Sequence, residues 1–293
     1  MGEFKIEPIP FDRIAIAITM SPRVEEMVSE GFYYAKAFNS KLYFIHIGPF
    51  DEQNINKLKQ IIDKNNHQNF PYEFINKVGD VVDTLLEVTK QHFIDLLIAG
   101  ALQKESAWRY IMGSVSRSIC RKAKCSLLML KEPHLTPHGY SKMVINCIDH
   151  PKTPHTIDSA VYFANHLDVN ELILVKEDQL SAVTSLADSA VCEDELVAQK
   201  RNQVIEEKKE FDEVASNHQF GNLNVKFKML KGKPGKEITN FARVQEADLL
   251  VVNSPDQELG LLHRFFPHGL EHALEDLPCS LLIIHSRIHT NNA

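Results

Sequence analysis

Asp95 to Lys131 reads DLLIAGALQKESAWRYIMGSVSRSICRKAKCSLLMLK, and the order of residue types in it decides the fold. An apolar run, Leu96-Leu97-Ile98-Ala99, stops at Gly100. Thirteen residues on, Gly113-Ser114 opens a segment of helical composition, and a second apolar run, Leu127 to Leu130, follows. A buried strand, a loop anchored by glycine, a helix start and a second buried strand make half of an α/β sheet. Gly-Ser at a helix start suits an anion. Free N–H groups point outward there, glycine allows close approach and the hydroxyl adds a donor.

Working outward, the same unit recurs. Gly79 and Gly232, Asp95 and Asp248, and Gly100 and Asn253 each stand 153 residues apart, with matching apolar patterns between them. Lys124-Cys125-Ser126-Leu127-Leu128 answers Pro278-Cys279-Ser280-Leu281-Leu282, and Ile14 to Ile18 answers Val144 to Ile148. A repeat at this scale means two similar domains. Each half carries five apolar runs, at about 13–19, 42–47, 72–77, 95–100 and 126–130, then about 142–148, 171–176, 224–230, 248–253 and 280–284. Near-continuous apolar strands alternating with amphipathic helices require a mostly parallel sheet covered on both faces. Ser21-Pro22 places a capping hydroxyl and a first-turn proline before a helix with apolar Val24, Met27, Val28, Phe32, Ala35 and Phe38. The segment 132–140, with two prolines and a glycine, divides the chain into 1–137 and 138–293. The second half has about 23 more residues than the first between its first and third strands, placed within 177–223. There, 194–218 reads as one long helix with Val197, Val204 and Phe211 at seven-residue intervals. It either lies over its own domain edge or presents a partner surface.

The totals exclude several functions. With 293 residues, 44% apolar and 24% charged, the chain is an ordinary globular composition; its net charge of −7, with no concentrated basic stretch, argues against nucleic acid and anionic membranes as partners. No apolar run reaches the ~18 residues of a membrane span. MGEFKIEPIPFDR is too polar for a signal peptide, so a cytoplasmic location is expected. Five cysteines without a C-x-x-C pair suit reduced core thiols. His268 and His272, four apart, with His263, His150 and His155 elsewhere in the same half, lack a set-spacing Glu or Cys partner, and no metal site is expected from them. Gly232-Lys-Pro-Gly-Lys236 lacks the P-loop spacing and reads as a turn into a helix. Trp108 reads as a packing anchor or else as a lid over a ligand, and Phe265-Phe266-Pro267 as a packing plug.

Gly100, Gln103, Gly113 and Ser114 fall on a pattern G-x2-G-x9-G-[S/T] with glutamine for the second glycine, and this resembles the nucleotide-binding segment of the universal stress proteins. The resemblance extends over the chain twice, as a tandem. It implies two doubly wound domains, each with a five-stranded parallel sheet like those of other adenine-nucleotide-binding folds, packed as a pseudo-dimer through their last strands, Leu127–Leu130 beside Leu281–Ile284. It also implies a stress-response or regulatory role without dedicated catalysis.

Carried over residue by residue, the resemblance puts Thr19 where ATP-binding members have an aspartate, and His46-Ile47 near the base. Gly100, Gly113, Ser114 and Val115 belong to the phosphate loop, with Mg only as a passenger of the nucleotide. Gln103 brings a Cβ and a polar arm into the phosphate space, to obstruct it or to bind there. The second half inverts the pattern: Asp149 supplies the missing carboxylate, but Asn253 and Asp256 replace the glycines and no Gly-Ser follows. The expected function is binding of ATP or another adenine nucleotide in the first half, reported to an unidentified protein partner, with a homodimer possible. The alternatives are a pure interaction protein with both pockets vestigial, and a slow ATPase or self-phosphorylating protein with Ser114 as acceptor.

Overall fold

The computed structural model describes residues 10–49, 51–101, 113–178, 202, 205, 208–209, 211–232, 235–255, 274 and 276–286. In the first half β1 (Arg13–Ala17), β2 (Lys41–Ile47), β3 (Tyr72–Lys77), β4 (Leu96–Gly100) and β5 (Ser126–Leu130) alternate with α1 (Val24–Ala37), α2 (Glu52–Asn65), α3 (Val81–Gln91) and α4 (Ser114–Lys122). In the second half the strands are β6 (Lys142–Asn146), β7 (Glu171–Asp178), β8 (Asn224–Lys231), β9 (Leu249–Asn253) and β10 (Ser280–Ile284). The helices α5 (Thr153–His166) and α6 (Lys236–Val244) accompany them. All ten expected strands form.

They make one sheet in the order β3-β2-β1-β4-β5-β10-β9-β6-β7-β8. Every pairing is parallel except the central one, where β5 and β10 run antiparallel with Leu128 opposite Leu282. The order is a palindrome of the repeat, so the expected pseudo-dimer through the last strands is present inside the chain. Repeat-equivalent side chains fasten the seam at both ends: Ser126 Oγ accepts from the His285 N–H, and Ser280 Oγ accepts from the Lys131 N–H, each at 3.2 Å.

Alternation within the strands gives each sheet face its own core. Ile14, Ile16, Leu96, Ile98, Leu249 and Val251 meet α1, α2 and α5; Ala15, Leu97, Leu127, Leu250 and Leu281 meet α3, α4 and α6. Burial of residues on both faces, which alternating strands cannot supply alone, explains the unbroken apolar runs. At Gly31 a Cβ would stand 2.7 Å from Ile16 and 2.9 Å from Phe44, so glycine lets α1 lie close on the sheet.

On the first of these faces the two halves meet through aromatic rings. Phe163 of α5 is fully buried among Phe11, Tyr34, Phe38 and Tyr140. The segment 132–140 crosses this face as a strap. The Tyr140 hydroxyl meets the Tyr34 hydroxyl at 2.5 Å, and a Cβ on Gly139 would stand 2.4 Å from the Leu167 carbonyl oxygen.

Some local expectations change. Ser21 does not cap α1: the helix starts at Val24, Arg23 is its N-cap without a side-chain bond, and the Ser21 carbonyl instead accepts from the Val24 N–H in a preceding turn. Pro22 therefore shapes that turn rather than the first helical turn. Gly232-to-Lys236 does lead into a helix, as expected, with Gly235 as N-cap of α6 at φ 82°. Of the long helix expected at 194–218, residues 211–217 are helical, and Val214 packs on the core; Val197 and Val204 lie outside the described residues. Trp108, His263, Phe265-Phe266-Pro267, His268 and His272 also lie outside them.

Candidate functional site

In the first half the chain leaves β1 toward β2 on one side and returns to β4 on the other, so the sheet order reverses between β1 and β4. Connections on opposite sides open a crevice beyond the carboxyl ends of these strands, the place where open α/β sheets bind ligands. Gly100 ends β4 here, and Ala101 continues it by donating its N–H to the Leu130 carbonyl at 2.8 Å. A Cβ on Gly100 would lie 3.3 Å from Met27 Sδ, so glycine lets the thioether of α1 sit close to the end of β4.

Gly113 is the N-cap of α4, in extended backbone, and bears no side chain to accept from the helix. No acidic residue occupies the first turn, while Arg121 and Lys122 sit in the last. The first turn of α4 thus carries no carboxylate of its own to meet its leading N–H groups, and Ser114 and Val115 are exposed beside them. A helix start of this composition favours negative charge over positive.

β1 stops at Ala17, two residues short of Thr19, and Thr19 is exposed. Ile47 ends β2, partly buried against the core. His46 is buried, and its Nδ1 lies 3.0 Å from the Ile18 carbonyl oxygen, tying the β1–α1 loop to β2. The sequence reading missed Arg23, whose Nη1 donates to the Lys131 carbonyl at 3.4 Å and brings a guanidinium to the loop between β1 and α1. A basic residue at the start of a helix, against the dipole's preference, was the available signal. Gln103 lies outside the described residues.

The second half has the corresponding reversal between β6 and β9, but its own side chains span the crevice. Asn253 Nδ2 donates to Thr153 Oγ1 at 3.0 Å, and Thr153 Oγ1 donates to the Ile148 carbonyl at 2.6 Å. Lys152 Nζ reaches the carbonyls of Ser254 and Pro255, 3.4 Å each. Asp149 is exposed and pairs with Lys176 at 3.3 Å. At the end of β7, Glu177 accepts from the N–H groups of Gly235 and Ile238 at 2.8 and 3.0 Å, so the start of α6 is compensated by the chain itself. His155, unlike a solvated histidine, is buried on α5, and desolvation lowers its pKa.

Cys120, Cys147 and Cys279 are free thiols, and burial pushes each pKa up to about 12. Among the described residues no three His, Cys, Asp or Glu gather to hold a metal ion, and no helix is long and apolar enough to cross a membrane.

Residues 51–131, from the cap of α2 through β5 and including the Gly100-to-Ser114 segment, match the universal stress protein family. A functionally unknown protein from Pseudomonas aeruginosa PAO1 has a similar structure at 14% identity and a TM-score of 0.70, covering 94% of this chain and 92% of that one. A universal stress protein from Archaeoglobus fulgidus DSM 4304 is similar at 10% identity and a TM-score of 0.65, over 95% of this chain and 100% of the other. No curated protein sequence matches. Residues 51–131 are thus similar to the universal stress protein family, and the second half repeats the strand order of the first.

Proposed function

We propose that this chain is a regulatory stress-response protein that binds an adenine nucleotide in its first half, without dedicated catalysis. One observation carries the reading: the N-terminus of α4 lacks both a side-chain cap and a first-turn carboxylate, and it follows the strand that ends at Gly100. On this reading Gly100, Gly113, Ser114 and Val115 receive the phosphates, with Gln103 beside them, and Thr19 and Ile47 face the base. The second half, divided from the first near residue 137 and enlarged within 177–223, acts as scaffold. Its Asp149 is engaged by Lys176, and Asn253 and Lys152 bridge its crevice. A second reading, an interaction protein with both pockets vestigial, draws support from exposed Thr19 standing where a carboxylate would hold the ribose.

The test is to denature freshly purified protein, identify any released small molecule by mass spectrometry, and titrate the emptied chain with ATP calorimetrically. Binding at one site per chain, lost in Gly113→Asp, is expected. That variant puts a carboxylate at the phosphate seat. No released nucleotide and no heat would overturn the proposal and favour the interaction protein. Phosphate release that disappears in Ser114→Ala would overturn its non-catalytic part.

A further inference from the structure

Glu30 lies in the middle of α1, on the face where the two halves meet, and only 5% of it is exposed. The strap covers it. Glu30 Oε1 accepts from the His134 N–H at 2.9 Å, and His134 Nδ1 stands 3.7 Å from the same oxygen. The His138 ring lies 5.1 Å from the His134 ring. Among the described residues no lysine or arginine pairs with Glu30, and its only ion-pair partner is the half-exposed imidazole of His134. A carboxylate kept dry without a cation disfavours its own ionised form.

We propose that residues 132–138 form a proton-operated clasp on α1: the strap sits over Glu30 while that carboxyl carries a proton, and lifts more readily once it is ionised. Lifting exposes Glu30 to water and breaks its contacts with His134, while Gly139 and Tyr140 stay anchored against Leu167 and Tyr34. The groups acting on the carboxyl come from each element around it. His134 and His138 on the strap draw it toward ionisation, Tyr33 and Tyr34 on its own helix and Tyr140 at the strap's end sense its charge, and Asp168 beyond α5 acts on Tyr33. Burial outweighs the two histidines and raises the Glu30 pKa to about 7.

The direction follows by linkage. The docked strap binds a proton that the lifted strap has released, because the docked pKa is raised from 4.5 to about 7. Docking is therefore fully favoured below pH 4.5, loses its advantage as pH rises to 7, and is level above. Across that window the opening equilibrium rises on the order of 300-fold. Acidification toward the neutral point and below tightens the connection between the halves.

Amide hydrogen exchange at the His134 N–H, which Glu30 accepts, divided in the full chain by the intrinsic rate at each pH, reads the opening directly. Wild-type opening should rise about fortyfold between pH 5 and 7 and level off above about pH 8. Glu30→Gln, which keeps an acceptor for the His134 N–H but cannot ionise, should show a flat profile. Equal slopes in the two proteins would overturn the clasp. Should the variant fold poorly, the wild-type Glu30 carboxyl carbon can be titrated by NMR: a midpoint near 7 supports the proposal, and one in the ordinary carboxylate range overturns it.

Discussion

Truncating Phe163 to alanine tests whether the two halves stand or fall together. The ring is fully buried, with Phe38 at 5.4 Å, Phe11 at 6.0 Å and Tyr34 at 6.2 Å between centroids, all from the first half. Tyr140 of the strap lies on it at 6.2 Å. Phe→Ala in a core costs about 3–5 kcal/mol, and four aromatic neighbours fixed by two halves leave little room for collapse, so about 4–5 kcal/mol is expected. Phe163→Leu refills most of the volume and should cost about 1–1.5 kcal/mol. Urea unfolding followed by far-UV circular dichroism and by tyrosine fluorescence gives both values, provided the two probes coincide. The cross-half share is isolated by a double-mutant cycle with Phe38→Ala, for which a coupling of about 0.5–1.5 kcal/mol is expected. A cost for Phe163→Ala below about 1.5 kcal/mol, or a coupling of zero, would refute the claim that this ring joins the halves.

Tyr140→Phe leaves the Tyr34 hydroxyl buried and alone; about 1–3 kcal/mol should be lost in urea unfolding, and Tyr34→Phe added to it should recover most of that loss, since both partners are then gone. Glu177→Ala removes the acceptor shared by Gly235 and Ile238 at the start of α6, at a cost of about 1–2 kcal/mol by the same assay; an unchanged midpoint would show that water replaces it. If Gln103 obstructs the phosphates, Gln103→Gly raises ATP affinity about tenfold, ~1.4 kcal/mol by calorimetry, whereas a weakened affinity makes it a ligand.

The sheet was legible because it is written in local runs. Leu96 to Gly100 and Leu249 to Asn253 announce themselves by consecutive apolar residues, and the fixed spacing between them reveals the repeat. The start of α4 was legible too, since Gly113-Ser114 is a local signature. Interactions between distant segments were not. Nothing near Glu30 in sequence says that His134 will lie over it, nor that Glu177 rather than a residue at the helix start will serve Gly235. Ser21 misled for a related reason: Ser-Pro suits a cap and a turn alike, and the turn won at Val24. The end of β1 at Ala17, short of Thr19, reflects where pairing with β2 and β4 runs out, which composition does not encode.

The antiparallel seam between β5 and β10 has a consequence for how such a chain can change. Two identical subunits joined about a two-fold axis meet every substitution twice, so neither can gain a residue that its twin would not tolerate. Joining the copies in one chain lifts that restriction while the seam keeps Ser126 and Ser280 in matching roles. Away from it the copies have parted company: α1 carries Glu30, Tyr34 and Met27 where α5, in register with it, carries Ser159, Phe163 and Thr156. Gly100 lies against Met27 without a side chain, while Asn253 in the matching place bonds Thr153. One copy is thereby free to specialise in ligand chemistry and the other in holding it rigid, an inheritance that no symmetric pair could divide.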